Sequence, residues 1–148
     1  MENIKKNKKE IIMDYKQFVE KREKEISKFP MAFAFNEQQL VEAMEKLKVS
    51  SPKELINIPA GGIIRKKDIP EYKALVKKLN DENRKMMAND SFLYDAMVYE
   101  MLNHEYPISL DITSVLDALG LSLKEFQTDR VQKIFNKAKI KAYEKIIW

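Results

Sequence analysis

Apolar residues return every three, four or seven positions over most of the chain, the spacing of a single stripe along a helix. In the first 28 residues the stripe is Ile4, Ile11, Ile12, Tyr15, Phe18, Val19 and Ile26, and Pro30 ends it. Phe29-Pro-Met-Ala-Phe-Ala-Phe35 follows another rule. Large and small side chains alternate there, which on a strand puts Phe29, Met31, Phe33 and Phe35 on one face and Ala32 and Ala34 on the other. Asn36, with Gln39 three residues on, signals the start of a helix from Glu37 to about Lys48 that buries Leu40, Ala43, Met44 and Leu47. Ser51-Pro52-Lys53-Glu54 opens one short turn that must stop before Pro59.

The glycine pair Gly61-Gly62 then leads into Ile63-Ile64-Arg65-Lys66, an apolar run suited to pairing with Met31–Phe35 as a two-stranded ribbon. Asp68 is expected to cap a long helix from Pro70 with the stripe Tyr72, Leu75, Val76, Leu79, Met86 and Met87. Asn89-Asp90-Ser91 breaks it. A further helix carries Leu93, Met97, Glu100, Met101 and His104 and ends at Pro107, and Asp111 starts another, through Val115, Leu116 and Leu119 to a left-handed cap at Gly120. Ser122 and Glu125 form a capping box for the last helix, striped by Val131, Ile134, Phe135, Ala138, Ala142 and Ile146. Leu47–Leu55 echoes Leu119–Phe126, each a helix end, a tight turn and a capped restart, which reads as shared turn chemistry and not as duplication.

The expected fold is mainly α: one domain of about six or seven helices with a minimal two-stranded β-ribbon, α+β at the margin. Residues 1–28 form an N-terminal amphipathic helix and 29–148 the compact helical domain. The expected core is Phe33, Phe35, Leu40, Met44, Ile63, Leu75, Leu79, Leu93, Met97, Val115, Leu119 and Ile134. On that reading Phe33→Ala costs about 3–5 kcal/mol.

Composition narrows the chemistry. The chain has 148 residues, 34% of them charged, a formal net charge of +4, no Cys, one His and three Gly. Without Cys there is no disulfide, thiolate nucleophile or zinc ribbon. No apolar run is long enough to span a bilayer, and a Lys-rich amphipathic N-terminus is unlike a signal peptide, so the expected location is the cytoplasm and no membrane partner is expected. Charge is segregated, with both ends basic and residues 71–121 carrying nine Asp and Glu against five Lys and Arg. If the terminal helices pack on the central ones, part of this is internal complementarity.

Three groups are candidate sites. Asn103-His104-Glu105-Tyr106 is the most polar and aromatic string at a helix end, and Glu100, one turn before His104, puts a carboxylate and an imidazole on one face. A metal would need further ligands drawn from Asp or Glu alone, and the plain alternative is a histidine at a helix C-terminus, so no metal and no cofactor are expected. Gly61 and Gly62 followed by Arg65 and Lys66 suggest a phosphate cradle, yet neither the P-loop nor the dinucleotide-fold spacing is present, and a glycine turn before a solvated strand is the simpler account. Lys133, Lys137 and Lys141 stand at one-turn spacing with Lys139 beside them, and Lys5, Lys6, Lys8 and Lys9 crowd the N-terminus. Either set suits phosphate contacts, or is a solvated lysine face. No productive pairing of nucleophile and base stands out, so the chain is not expected to be an enzyme.

Taken in order, Phe29-Pro-Met-Ala-Phe-Ala-Phe35, Gly61-Gly62-Ile-Ile-Arg65-Lys66-Lys67-Asp68, Asn103-His104-Glu105-Tyr106 and Asp117-Ala-Leu-Gly-Leu121 resemble a family of small uncharacterised phage and prophage proteins. The likeness spans about residues 26–126, and a single glycine pair stands where longer glycine runs are usual. The resemblance implies a mobile-element accessory protein in the bacterial host cytoplasm, of the kind that binds and blocks a host protein or ribonucleoprotein such as a CRISPR effector. Two alternatives stay open: a nucleic-acid binder using Lys133, Lys137, Lys139 and Lys141, and a sponge for a nucleotide signal near Gly61, Arg65 and Lys66. Arg65 is also a candidate fork-to-carboxylate partner for Glu105.

Overall fold

The computed structural model describes residues 13–59 and 61–147, so Ile4, Ile11, Ile12 and the lysines at 5, 6, 8 and 9 lie outside the described residues. In order, the elements are α1 (Tyr15–Ser27), α2 (Glu37–Leu47), a 3-10 turn (Pro52–Glu54), β1 (Leu55–Asn57) and β2 (Ile63–Arg65). A second 3-10 turn (Lys66–Asp68) leads into α3 (Ile69–Met87), α4 (Asp90–Asn103), α5 (Tyr106–Ser109), α6 (Thr113–Leu119), α7 (Leu123–Phe126) and α8 (Asp129–Ile147). The fold is mainly helical with a two-stranded antiparallel sheet, as the periodicity predicts. Among the described residues there are eight α-helical segments, because the corners at Tyr106–Ser109 and Leu123–Phe126 each close one helical turn.

Two compact units are distinguished, Lys21–Leu79 and the residues up to Glu20 together with those from Asn80 onward; the divisions fall inside α1 and α3. In the first, the ribbon pairs Leu55 with Arg65, Ile56 with Ile64 and Asn57 with Ile63. The expected partner, Met31–Phe35, contributes only one bridge: Ala32 N–H donates to the Ile63 carbonyl at 3.0 Å and Ile63 N–H returns to Ala32 at 2.8 Å. Its polarity is also the reverse of expectation. Ala32 is buried beside Ala43, Leu47, Leu55 and Ile63, whereas Phe33 is 56% and Phe35 86% exposed. The contact between the ribbon and α2 has room for methyl groups and not for rings, so size alternation marked the faces and the small residues took the inside. Leu40, Met44, Leu75 and Leu79 are half-buried, not core.

Corners in this unit are closed by side chains. Asn36 Oδ1 accepts from Gln39 N–H at 2.8 Å, and Gln39 Oε1 accepts from Phe35 N–H at 2.7 Å. α2 ends at Lys48, held at φ 57°, and Glu54 then accepts from Ser50 N–H at 2.9 Å and Ser51 N–H at 3.1 Å. Those amide bonds hold the Glu54 carboxyl below the usual carboxylate range. Asp68 does not cap α3; it is buried and takes the Arg65 Nε–H at 2.7 Å.

The second unit is built around α4, which buries Phe92, Leu93, Ala96, Met97, Val98, Glu100 and Met101. Along it lies α8, presenting Val131, Ile134, Phe135, Ala138 and Ala142, with Val115 and Leu119 of α6 and Tyr15 and Phe18 of α1 completing the cluster. Asn89 caps α4 by accepting from Phe92 N–H at 2.9 Å. Gly120 ends α6 at φ +70°, and a β-carbon there would meet Asn83 Nδ2 at 3.0 Å, so glycine is required by both conformation and space. Ser122 and Glu125 make the expected capping box.

Two outcomes test these assignments. Leu93→Ala, at a fully buried position, is expected to cost about 2–5 kcal/mol in chemical denaturation, while Phe33→Ala stays within about 0.5 kcal/mol; equal losses would restore Phe33 to the core. Because the folded carboxyl of Glu54 titrates lower than the unfolded one, its contribution is complete above the unfolded carboxylate range, near pH 4.3, and disappears as pH falls through the folded value. The stability difference between the parent and Glu54→Gln should therefore shrink on acidification, as read from denaturation midpoints at successive pH values.

Candidate functional site

The glycine turn is a folding device. Gly61, at φ +90°, donates its N–H to the Ile58 carbonyl, and Ile58 N–H donates to Gly62, each at 2.9 Å. Gly62 is buried under Met31, whose sulfur lies 2.7 Å from where a β-carbon would stand. Arg65 binds no open cradle: its Nε–H goes to Asp68 and its Nη1 reaches the Leu47 carbonyl at 3.4 Å. The fork-to-carboxylate contact expected with Glu105 is made with Asp68 instead. Lys66 is exposed.

The Asn103–Tyr106 string forms the corner between α4 and α5, and its side chains diverge. Asn103 is exposed and sets Nδ2 3.4 Å from Glu100 Oε1. His104 closes α4, its backbone N–H donating to the Glu100 carbonyl at 2.9 Å, with a half-buried imidazole. Glu105 is exposed at φ 54°, the left-handed step that turns the chain into α5. Tyr106 is buried edge-to-face on Phe135 with ring centroids 5.9 Å apart, and burial pushes its phenol above the usual range, so it stays neutral.

Glu100 is the one buried carboxylate of this unit among the described residues. Tyr15, itself 2% exposed, donates its hydroxyl to Glu100 Oε2 at 3.0 Å and stacks edge-on against Phe92 and Tyr99 at 5.8 and 5.3 Å. The face predicted for Glu100 and His104 thus carries a carboxylate already bound by a phenol and an amide. Among the described residues no three His, Asp or Glu side chains are grouped to hold a metal ion. Tyr15 was not legible as a partner from sequence, since 85 residues separate it from Glu100.

The lysine row of α8 divides. Lys139 lies over the Phe135 ring, 5.5 Å from its centroid, and Lys141 is 3.9 Å from Glu144. Lys133 and Lys137 line a groove of about 480 Å³ between α4 and α8, together with Asp90, Ser91, Tyr94, Arg130 and Ile134. Arg130 was missed in the sequence because lysines drew the eye, although it stands three and seven residues before Lys133 and Lys137, on the same helix face.

These features define a small helical protein with a hairpin-bearing unit, a helical unit organised by a buried carboxylate, and a basic groove. Residues 14–141 match a family of unknown function, DUF7659, and the chain belongs to that family. No curated protein and no solved structure matches it. Among the described residues no helix is long and apolar enough to cross a membrane.

Tyr15→Phe removes the hydroxyl and leaves Glu100 with the long Asn103 contact alone, which should cost about 1–3 kcal/mol. His104→Ala removes no imidazole hydrogen bond and should change the same denaturation midpoint by about 0.5 kcal/mol or less. A larger loss for His104→Ala than for Tyr15→Phe would move the organising role to the histidine.

Proposed function

We propose that this chain is a non-catalytic binding protein whose partner is a protein or ribonucleoprotein of the host cell. The observation that carries this reading is the pair Phe33 and Phe35, 56% and 86% exposed on one side of an extended segment whose Ala32 faces inward. Leaving a phenylalanine in water forgoes about 1.5–3 kcal/mol of burial, and aromatic side chains are the anchors that dominate protein interfaces. The presentation is also rigid. Gln39 holds the Phe35 amide and Asn36 holds the Gln39 amide, so little ordering remains to be done on binding.

The engagement of Glu100 by Tyr15 and Asn103 supports a non-catalytic reading, because the carboxylate nearest the only histidine already serves the fold. The resemblance to phage and prophage proteins supports a mobile-element accessory protein acting in the bacterial cytoplasm, with a host-defence effector of the CRISPR type as the partner it inhibits.

The test is capture from nuclease-treated bacterial lysate with the parent chain and with Phe33→Ser/Phe35→Ser, alongside sedimentation of each alone. A stoichiometric protein partner held by the parent and lost by a double variant that melts at the parent's temperature is the expected result. Equal capture by both, no stoichiometric protein, or a patch covered by self-association of the parent would overturn it.

A further inference from the structure

The groove between α4 and α8 is in the other unit from Phe33 and Phe35, and the reading above does not use it. Three cationic side chains, Arg130, Lys133 and Lys137, follow one another along its α8 wall. They are not equivalent. Arg130 is clamped, its Nε–H on Asp90 Oδ1 and its Nη2 on the Met87 carbonyl, both at 2.7 Å. Lys133 and Lys137 are exposed and make no ion pair with the described residues, unlike Lys141, which lies near Glu144, while Lys139 lies over a ring. One helical turn separates them, placing their β-carbons about 5–6 Å apart.

The opposite wall supplies other chemistry. Tyr94 of α4 is half-buried, offering a ring and a hydroxyl, and Ser91 offers a second hydroxyl. Asp90, although paired to Arg130, keeps a side chain that is 72% exposed, so acceptor capacity remains at that end. The lining therefore combines two unneutralised ammonium groups, an aromatic surface and a carboxylate acceptor. An acidic peptide would satisfy the lysines and leave both the ring and the carboxylate without a use. A ligand bearing an anion, a planar ring and N–H donors uses all three. We propose that the groove between α4 and α8 binds a nucleoside phosphate, as a free nucleotide or as one unit of a single strand, with Lys133 and Lys137 on phosphate and Tyr94 against the base. Pairing a cationic track with an aromatic platform is the general solution for single strands, tolerant of sequence because every base has a face to stack.

The experiment uses the full chain and three probes: a fluorescent 12-nucleotide oligo(U) followed by anisotropy, AMP followed by thermal shift, and polyglutamate as competitor. At about 50 mM salt the strand or the nucleotide should bind. Lys133→Ala/Lys137→Ala should weaken that binding at least tenfold, and Tyr94→Ala severalfold, while Lys139→Ala/Lys141→Ala changes it less than twofold. For a strand, affinity should fall linearly on a log–log plot against salt, and the Lys133/Lys137 double variant should flatten the slope by about 1.4, at about 0.7 per phosphate contact on single strands. Binding of AMP alone would assign the groove to free nucleotide, and binding of the 12-mer alone to a strand. Circular dichroism of each variant confirms folding, as both lysines are exposed. The proposal is overturned if neither probe binds, if polyglutamate competes as well as the unlabelled strand, or if Lys139→Ala/Lys141→Ala causes the loss and Lys133→Ala/Lys137→Ala does not.

Discussion

A helix wrapped by its neighbours must find an internal partner for every polar group it carries, and α4 is under that constraint. Phe92, Leu93, Ala96, Met97, Val98 and Met101 face inward around most of its circumference, covered by α8, α6, α5 and the N-terminal part of α1. Glu100 lies within the same span, and an unpaired carboxylate there would be costly to leave out of water. The Tyr15 hydroxyl resolves the conflict, and in doing so it locates α1 on α4 at a defined rotation and register. Hydrophobic contacts alone tolerate sliding; a phenol 3.0 Å from a buried carboxylate oxygen does not.

That arrangement then dictates what α8 can show to solvent. Its inner face needs Val131, Ile134, Phe135, Ala138 and Ala142, the alanines fully buried where the helices come close. The remaining positions fall to polar residues, and here they are mostly lysines. Those at the margin of the contact, Lys133 and Lys137, meet the α4 residues that also sit at its edge. A groove with mixed chemistry is thus a geometric consequence of packing two helices whose outer residues differ in character. Arg130 at one end, bound to both the Asp90 side chain and the Met87 carbonyl, fixes the start of α8 to the α3–α4 corner.

Local signals were the most legible part of the sequence. Asn36, Asn89, Gly120 and the Ser122–Glu125 box each end or begin a helix where side-chain chemistry says they should, because a cap is satisfied within four residues. The echo between Leu47–Leu55 and Leu119–Phe126 is explained in the same way: a left-handed helix end at Lys48 or Gly120, then a serine N-cap braced by a glutamate. Pairings that depend on distant chain were not legible. Ile63 found Asn57 and Ala32 at once, so the ribbon used Leu55–Asn57 as its full strand and kept the Phe-rich segment as a single bridge. The candidate-site residues fared similarly. Arg65 took the carboxylate three residues away, and the lysine row split by which side of α8 each residue occupies.

The inverted Met31–Phe35 segment shows why alternation alone could not assign an inside. A period of two separates the faces but is symmetric between them, and the usual tie-breaker, that large apolar side chains go inward, presumes a cavity large enough to receive them. Here the covering surface is α2, approaching with Ala43 and Leu47, and the segment is tied to β2 by both hydrogen bonds of the Ala32–Ile63 bridge. Rings on that face would push the bridge apart. Alanines fit, and the phenylalanines are left outside on a backbone fixed by Gln39, which makes their exposure a product of the packing and not of a loose chain end. Burying those rings therefore requires a surface from outside this segment, and the same rigidity that exposes them prepares them to be covered.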